Sequence, residues 1–585
     1  MDAELQHLIV LLRDRGSIVQ QSSVKRSVIN NLAYYVPRIT SLKVLETIVA
    51  ELWNSALQSD ADTSLELQEM CQSIFFWKLQ ISEPSLDVPE FYEVWNRHIV
   101  ACSQWTVPKL AMVSGLLSTE ALFLQLQNRF YTDRKGICSR YYKNWRSAYF
   151  VPLLTNYLNQ GGLTLSSKDL IVQIYTFAPS EGDLARTQLH WDFITDSCIR
   201  QLIHYITHGE TELDMYLQKN VNQIARTLQI SLLRTDSSTL ARNLEQLTKA
   251  CQTLSYRECR SAMPNKSYSN DHYSGILLTV ILTTKSIIDS VRNIPRLWCI
   301  QMITCLYNLH FITLDFGTTG FQTFEDVFAK LSTFITLPVG QFQRQDDYIS
   351  LIKGFIGGID FNTQYPNKIN DSRLLFTLSL LERTLLLLSG STLRELVTAP
   401  EFTFVLKNLN SYSNEIREAA HSVILTYYKV ESIETSVRQW QSTFIDEYLV
   451  LSFRQYFNSE LTESQLLHII QKLSVSIPYL QTMDLDICRR LVQKMYLQFL
   501  NIPKGKMRWN VMLLKCIICM IPYINMRYCL DWLDNVKELL FSGEFDEITR
   551  QEIADSLWDM ISTSGSQIAI KWWYVSFVTT PQSRL

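Results

Sequence analysis

His204 and His208, four residues apart in QLIHYITHGE, are a first pair of side chains that could act together. At i and i+4 on a helix their rings would share a face, as a zinc site requires. A zinc protease would need glutamate at 205, where Tyr205 stands, and no further ligand is evident. Two ordinary boundary histidines are expected. Cys516 and Cys519 form a CxxC in LLKCIICMI. A structural zinc would need a second pair, which Cys529 alone does not supply, and a thioredoxin-type reaction would need a strand-to-helix turn. The stretch is continuously apolar, so core thiols are expected. Gly354, Gly357 and Gly358 in KGFIGGIDF fit neither phosphate-binding spacing and read as a helix end and loop. Asp484 and Asp486 read as acids at a helix start. No GxSxG elbow or kinase motif set is found. No catalytic residue, cofactor or metal is expected, and the chain reads as no enzyme.

Two stretches join cations to aromatic rings. RKGICSRYYKNWR (134–146) carries Arg134, Lys135, Arg140, Lys143 and Arg146 beside Tyr141, Tyr142 and Trp145. Such a mixture can bind nucleic acid or a membrane interface. A net charge of −3 argues against nucleic acid. An amphipathic helix with a solvated basic face is expected, with a partner-contact surface as the alternative. IKWWYVSFV (570–578) places Trp572, Trp573, Tyr574 and Phe577 in the last expected helix, as core packing and as the anchor of the C-terminal tail.

That tail reads TTPQSRL. Ser583, Arg584 and Leu585 have the serine-basic-leucine form of the type-1 peroxisomal targeting signal. Each position has a physical role in capture. Polar groups of a receptor hold the terminal carboxylate. Leu585 fills an apolar pocket, worth about 1.5–3 kcal/mol if fully buried. Arg584 offers a cation to an acidic wall, and Ser583 is small enough to pass the rim. Pro581 and the two threonines are expected to stop the last helix and leave the tripeptide in solvent.

The elements that position these residues are expected to be helices. Over 585 residues there are only 18 glycines and 15 prolines, so turns are few and elements long. Hydrophobic residues make up 47%, enough for a large core and too many for disorder. The twelve cysteines sit mostly in apolar runs and read as reduced and buried. MDAELQHLIVLLRDRG puts acids ahead of its apolar residues and reads as an amphipathic helix, with no secretory cleavage site. The apolar runs 511–524 and 374–390 are broken by Lys515 and Pro522 and by Glu382 and Arg383. Both fall short of the roughly 20 residues a spanning helix needs, so a soluble or peripheral protein is expected.

Helical periodicity is explicit in SLKVLETIVAELWNSAL, where Leu42, Val44, Leu45, Ile48, Val49, Leu52, Trp53 and Leu57 recur at steps of three and four. Asp62 or Thr63 suits the cap of the next helix, and Ser82-Glu83-Pro84 its stop. Pro89 suits a first turn. LLFTLSLLERTLLLLS is expected to end at a left-handed Gly390, with Thr392 and Glu395 at capping-box spacing for the helix after it. The fold class is all-α: an extended array of antiparallel helix pairs, either a HEAT/armadillo-like solenoid or an irregular helical array, since no signature recurs at fixed period. Polar stretches divide it into a helical region 1–256, a loop 257–275, a helical region 276–356, a loop 357–375, a helical region 376–578 and an exposed tail 579–585. Shorter breaks are expected at 159–167 and 178–188.

AYYVPRI (33–39), FFWKLQISEPSLDVPEFYEVWN (75–96), YYKNWR (141–146) and KWWY (571–574), with the tail after them, resemble the fungal peroxin-8 proteins in the same order. The resemblance covers both ends and much of the first third. It implies a non-enzymatic, peripheral protein at the lumenal face of the peroxisomal membrane. Such a protein bridges the cargo-docking complex and the RING-finger ubiquitin-ligase complex, binds the cargo receptor peroxin-5 and assists cargo release. Its tail, here Ser583-Arg584-Leu585, serves its own import. Some members carry an N-terminal type-2 signal, for which no matching nonapeptide is found.

Overall fold

A computed structural model describes residues 2–14, 22–59, 61–81, 83–130, 136–159, 165–176, 190–209, 215–261, 267–291, 293–316, 322–336, 346–359, 367–398, 402–431, 434–503, 505–543 and 545–578. Every regular element among them is a helix. The chain forms two compact units, one of Met1–Arg260 with Ser267–Val327, the other of Phe328–Leu585 with Ser261–Lys266.

In the first unit the recurrent packing is of a long helix on the second helix after it, with some consecutive helices also in contact. Trp191–Thr207 touches Met215–Leu232 and Ser237–Arg260, Met215–Leu232 touches Asp271–Ser290, and Ser237–Arg260 touches Arg296–Phe316. That pattern is a stack of antiparallel pairs in two layers. Val107–Leu117 lies close against Ser64–Gln80. A Cβ on Gly115 would stand 2.0 Å from the Gln68 carbonyl oxygen, so only glycine permits this crossing. Ser114, beside it, accepts a hydrogen bond from Gln68 Nε2 at 2.8 Å and donates to the Ile174 carbonyl at 2.5 Å.

The second unit repeats the arrangement. Helices opening at Asn414, Glu463, Met507 and Glu547 pack in succession as one layer. Their steps lie close to the roughly 40–47 residues of HEAT-type units. Thr435–Phe457, Ile487–Leu500, Met526–Leu540 and Gln567–Trp573 form the other layer. Local chemistry sets the starts. Thr462 Oγ1 accepts from the Gln465 N–H at 3.3 Å while Gln465 Oε1 accepts from the Thr462 N–H at 2.8 Å, a full capping box. Asp546 accepts from the Thr549 N–H at 2.8 Å.

The expected helices appear with adjusted ends. Leu42–Asn54 buries Leu45, Ile48, Val49, Leu52 and Trp53. Val88–Ala101 carries Pro89 in its first turn and buries Phe91, Val94, Trp95 and Ile99. The N-terminal helix Asp2–Arg13 buries Leu5, Leu8, Ile9 and Leu12. Gly390 does not stop a helix. Lys368–Thr384 ends earlier and passes through a 3-10 turn, and Gly390 opens Gly390–Thr398. Ser389 accounts for this by accepting from the Thr392 N–H at 3.4 Å, which puts Thr392 inside the first turn.

The polar break expected at 257–275 is narrower. The helix continues to Arg260, where Arg257 and Arg260 complement its C-terminal dipole, and the next opens at Asp271 under an Asn270 cap. Likewise the helix Asp346–Gly357 is followed by one opening at Lys368, capped by Asn367. The break at 178–188 lies outside the described residues, as do 160–164 of the break at 159–167. The limit between the compact units falls at Val327, within the region 276–356.

Two apolar stretches among the described residues exceed the sequence expectation, the first being Val107–Leu126, with 20 residues and a mean hydropathy of 1.3. The second, Arg296–Phe316, has 21 residues and a mean hydropathy of 1.4, likewise long and apolar enough by composition to cross a membrane. Here Trp298, Cys299, Met302, Ile303, Leu306, Leu309, Phe311 and Ile312 lie in the core of the first unit.

Candidate functional site

The two aromatic stretches end in the same local structure, a π-helical turn, at Trp145–Phe150 and Tyr574–Val578. Their surroundings differ. In the N-terminal stretch, Phe75 is edge-on to Phe91 (5.6 Å), Tyr92 (4.9 Å), Trp95 (5.3 Å) and Trp145 (6.4 Å). Polar partners tie this knot together. Tyr142 shares hydrogen bonds with Tyr92 (2.9 Å) and Thr119 (2.9 Å), and Trp145 Nε1 donates to Asn96 at 3.0 Å. Burial raises the Tyr142 phenol well above its usual range. Tyr141 donates to Glu93, and desolvation with that carboxylate pushes its pKa up to about 12.

Lys78 is enclosed beside this knot, donating to Ser85 Oγ at 2.9 Å and to the Leu86 carbonyl. Burial lowers its pKa to about 8, against the pull of Asp87. The basic stretch is therefore split. Arg146 is buried against Glu120, while Arg140 and Lys143 face solvent. Arg134 and Lys135 lie outside the described residues.

At the other end, Trp572 Nε1 donates to Asp534 at 2.7 Å, and Trp573 stacks on Phe577 at 4.3 Å. Phe577 also meets Phe541 at 5.8 Å. Tyr574 and Val575 remain 51% and 58% exposed. The element that precedes the tail is thus anchored on one side and open on the other. Ser583, Arg584 and Leu585 lie outside the described residues, which end at Val578.

Between the first turns of Glu463–Leu480, Met507–Met520 and Glu547–Ser564 runs an open trough of about 510 Å³. Leu467, Val511 and Met512 give it an apolar floor, and Lys515 and Glu552 stand on its sides. Arg508, also on the wall, is paired with Glu463. A second hollow of about 430 Å³ adjoins it through the shared Ser464, lined by Glu418, Ser422, Leu425 and His468. Beneath that hollow His421 is held by Tyr448 (2.7 Å) and Gln455 (2.9 Å). Burial, opposed by Gln455, lowers its pKa to about 4, so it is neutral. No sequence motif marks the trough, because its residues come from three helices about one repeat apart.

The remaining candidates resolve as packing or helix ends. His208 stands just past the end of Trp191–Thr207, with Nδ1 3.0 Å from the His204 carbonyl and ring centroids 3.9 Å apart. Among the described residues no group of three His, Cys, Asp or Glu side chains is placed to hold a metal. Cys516 and Cys519 are buried in the continuous helix Met507–Met520, and burial raises both thiols, Cys519 to about 11. Gly354 and Gly357 belong to the end of Asp346–Gly357, where the Gly358 N–H donates to the Gly354 carbonyl at 3.1 Å. Asp484 accepts from the Asp486 N–H at 3.0 Å and from Arg490, which also reaches Asp446 at 2.8 Å. They frame a helix start.

Stacked helix pairs with open troughs define an all-α protein of the solenoid type. Residues 439–584 match the PEX8 C-terminal domain, and residues 349–429 match the PEX8 central TPR-like domain. Peroxisomal biogenesis factor 8 of Saccharomyces cerevisiae is 26% identical over 613 residues, covering 100% of both chains. The protein of the same name from Pichia angusta is 24% identical, covering 96% of this chain and 93% of that one. That from Komagataella phaffii is 30% identical over 146 residues, 24% of this chain and 19% of the relative. Among solved structures, a crystal structure of a Kap121p mutant covers 99% of this chain and 54% of its own, at 9% identity and a TM-score of 0.43. Over its whole length the chain is thus similar to peroxisomal biogenesis factor 8 proteins.

Proposed function

We propose that this protein is a non-enzymatic scaffold of peroxisomal matrix protein import, held peripherally at the lumenal face of the membrane. In this reading it bridges the docking complex and the RING-finger ubiquitin-ligase complex. It also binds the cargo receptor peroxin-5 and assists cargo release. Ser583-Arg584-Leu585 is its own import address. The observation that carries the reading is the match to peroxisomal biogenesis factor 8 along the whole length of both chains. The stacked pairs support it physically, because consecutive helices offer long faces to several partners at once.

Release would use two contacts. A helical face docks the receptor, and the tripeptide then competes with bound cargo tails for one pocket. Tethering raises the effective concentration of the tail to about the mM range, so modest affinity suffices. Cargo displacement by the full chain is compared with that by a form lacking 583–585. Greater displacement by the full chain is expected, and equal displacement removes the tail from release. Localisation of the Leu585 deletion tests the address, and crosslinking on the organelle, mapped to residues, tests the bridging.

A further inference from the structure

We propose that the first turns of the helices opening at Asn414, Glu463, Met507 and Glu547 form one binding track for a partner segment in the polyproline-II conformation. At every third position that segment carries, in order, a cation, an aliphatic side chain, a carboxylate and a second cation. The proposal goes beyond the scaffold reading, since it stands whichever protein supplies the segment.

Geometry sets the conformation. The four helices pack in succession as one layer, and the trough meets its adjoining hollow at Ser464, so the lining passes across all four. Glu418, Leu467 and Val511 are each the fifth residue of their helices and Glu552 the sixth, with Lys515 one turn beyond Val511. Packed helices lie about 8–10 Å apart. A polyproline-II chain has about three residues per turn and rises about 3.1 Å per residue. Every third side chain therefore points the same way, about 9 Å from the last, and meets successive helices. A β-strand would turn its third residue to the opposite face. An α-helix needs about six residues for the same step, and those also fall on different faces.

Chemistry sets the pattern. Glu418 accepts from the neutral amide of Gln465 at 2.6 Å and meets no cation among the described residues. Lys515 and Glu552 have no hydrogen-bond or ion-pair partner among the described residues, whereas Arg508 is already neutralised by Glu463. Leu467, Val511 and Met512 give the floor between them. Taken helix by helix, the track is anionic at Glu418, aliphatic at Leu467, cationic at Lys515 and anionic at Glu552. The segment named above is its complement. Exposed pairs of this kind are individually weak, so selectivity comes from the series of them.

The test is fluorescence anisotropy of the full-length chain with labelled ten-residue peptides blocked at both ends. One has arginine at its first and tenth positions, leucine at its fourth and glutamate at its seventh, with proline and glutamine elsewhere. A second has the reverse order, to allow either chain direction, and a third shuffles the same residues. One of the first two is expected to bind more tightly than the shuffled peptide. Lys515→Glu is expected to weaken that binding roughly two- to fivefold, the fold-change of one exposed charge pair. A peptide with lysine in place of the glutamate is expected to restore it, which also shows that the variant is folded. No saturable binding of either patterned peptide up to about 1 mM overturns the proposal. So does equal binding of the shuffled peptide, or equal affinity of wild type and Lys515→Glu. Self-association of the chain that Leu467→Glu abolishes assigns the trough to a second copy, and also overturns it. None of these readouts depends on import, so failure of the scaffold reading is seen separately.

Discussion

The knot around Phe75 and the aromatic end at Trp572–Phe577 have similar compositions and opposite roles. In the first, Tyr92, Trp95, Tyr142 and Trp145 are all under 2% exposed, and the phenols of Tyr92 and Tyr142 and the indole of Trp145 have hydrogen-bond partners. In the second, Trp572 is tied to Asp534, but Tyr574 and Val575 face solvent at the head of the tail. The same π-helical turn closes both. An aromatic run therefore marks a region and not its use. Whether a neighbouring helix covers it decides between core and contact surface.

The largest break in this contrast should come from the knot. Trp145→Ala is expected to cost about 3–5 kcal/mol through the cavity it leaves, read as a shift in the denaturant midpoint of the first unit. A loss under about 1 kcal/mol would mean that the knot is not core. Gly115→Ala is expected to cost about 1–3 kcal/mol, since the new methyl must displace the Gln68 backbone.

Acid should weaken the second unit through His421. Its folded pKa is lowered to about 4, so the unfolded chain binds a proton that the folded chain refuses. Stability is therefore lost as the pH falls from about 6.5 towards 4, by on the order of 1–3 kcal/mol. A urea midpoint measured against pH should show this slope, and His421→Gln should flatten it. At the C-terminal end, Trp572→Phe should cost about 1 kcal/mol for the lost hydrogen bond to Asp534, read by thermal unfolding. Tyr574→Ser should change stability by less than about 0.5 kcal/mol. A larger loss would make that surface part of the core and erase the contrast.

Periodic spacing in the sequence was enough to place helices such as Leu42–Asn54 and Val88–Ala101, because burial of one stripe is a local pattern. Helix ends were less legible. Ser389, and not Gly390, sets the turn near 390, through a hydroxyl no pattern singles out. Arg296–Phe316 shows the other limit, since apolarity in sequence does not distinguish a core helix from a spanning one. Residue order alone was sufficient for an all-α chain with reduced cysteines, and it carried the family resemblance. Packing in three dimensions settled which rings are enclosed, that Arg146 is spent on Glu120, and that Lys515 and Glu552 face one trough. The reason is physical: helix formation follows residues three and four apart, whereas a site on stacked pairs joins residues some forty apart, which only the contact between pairs brings together.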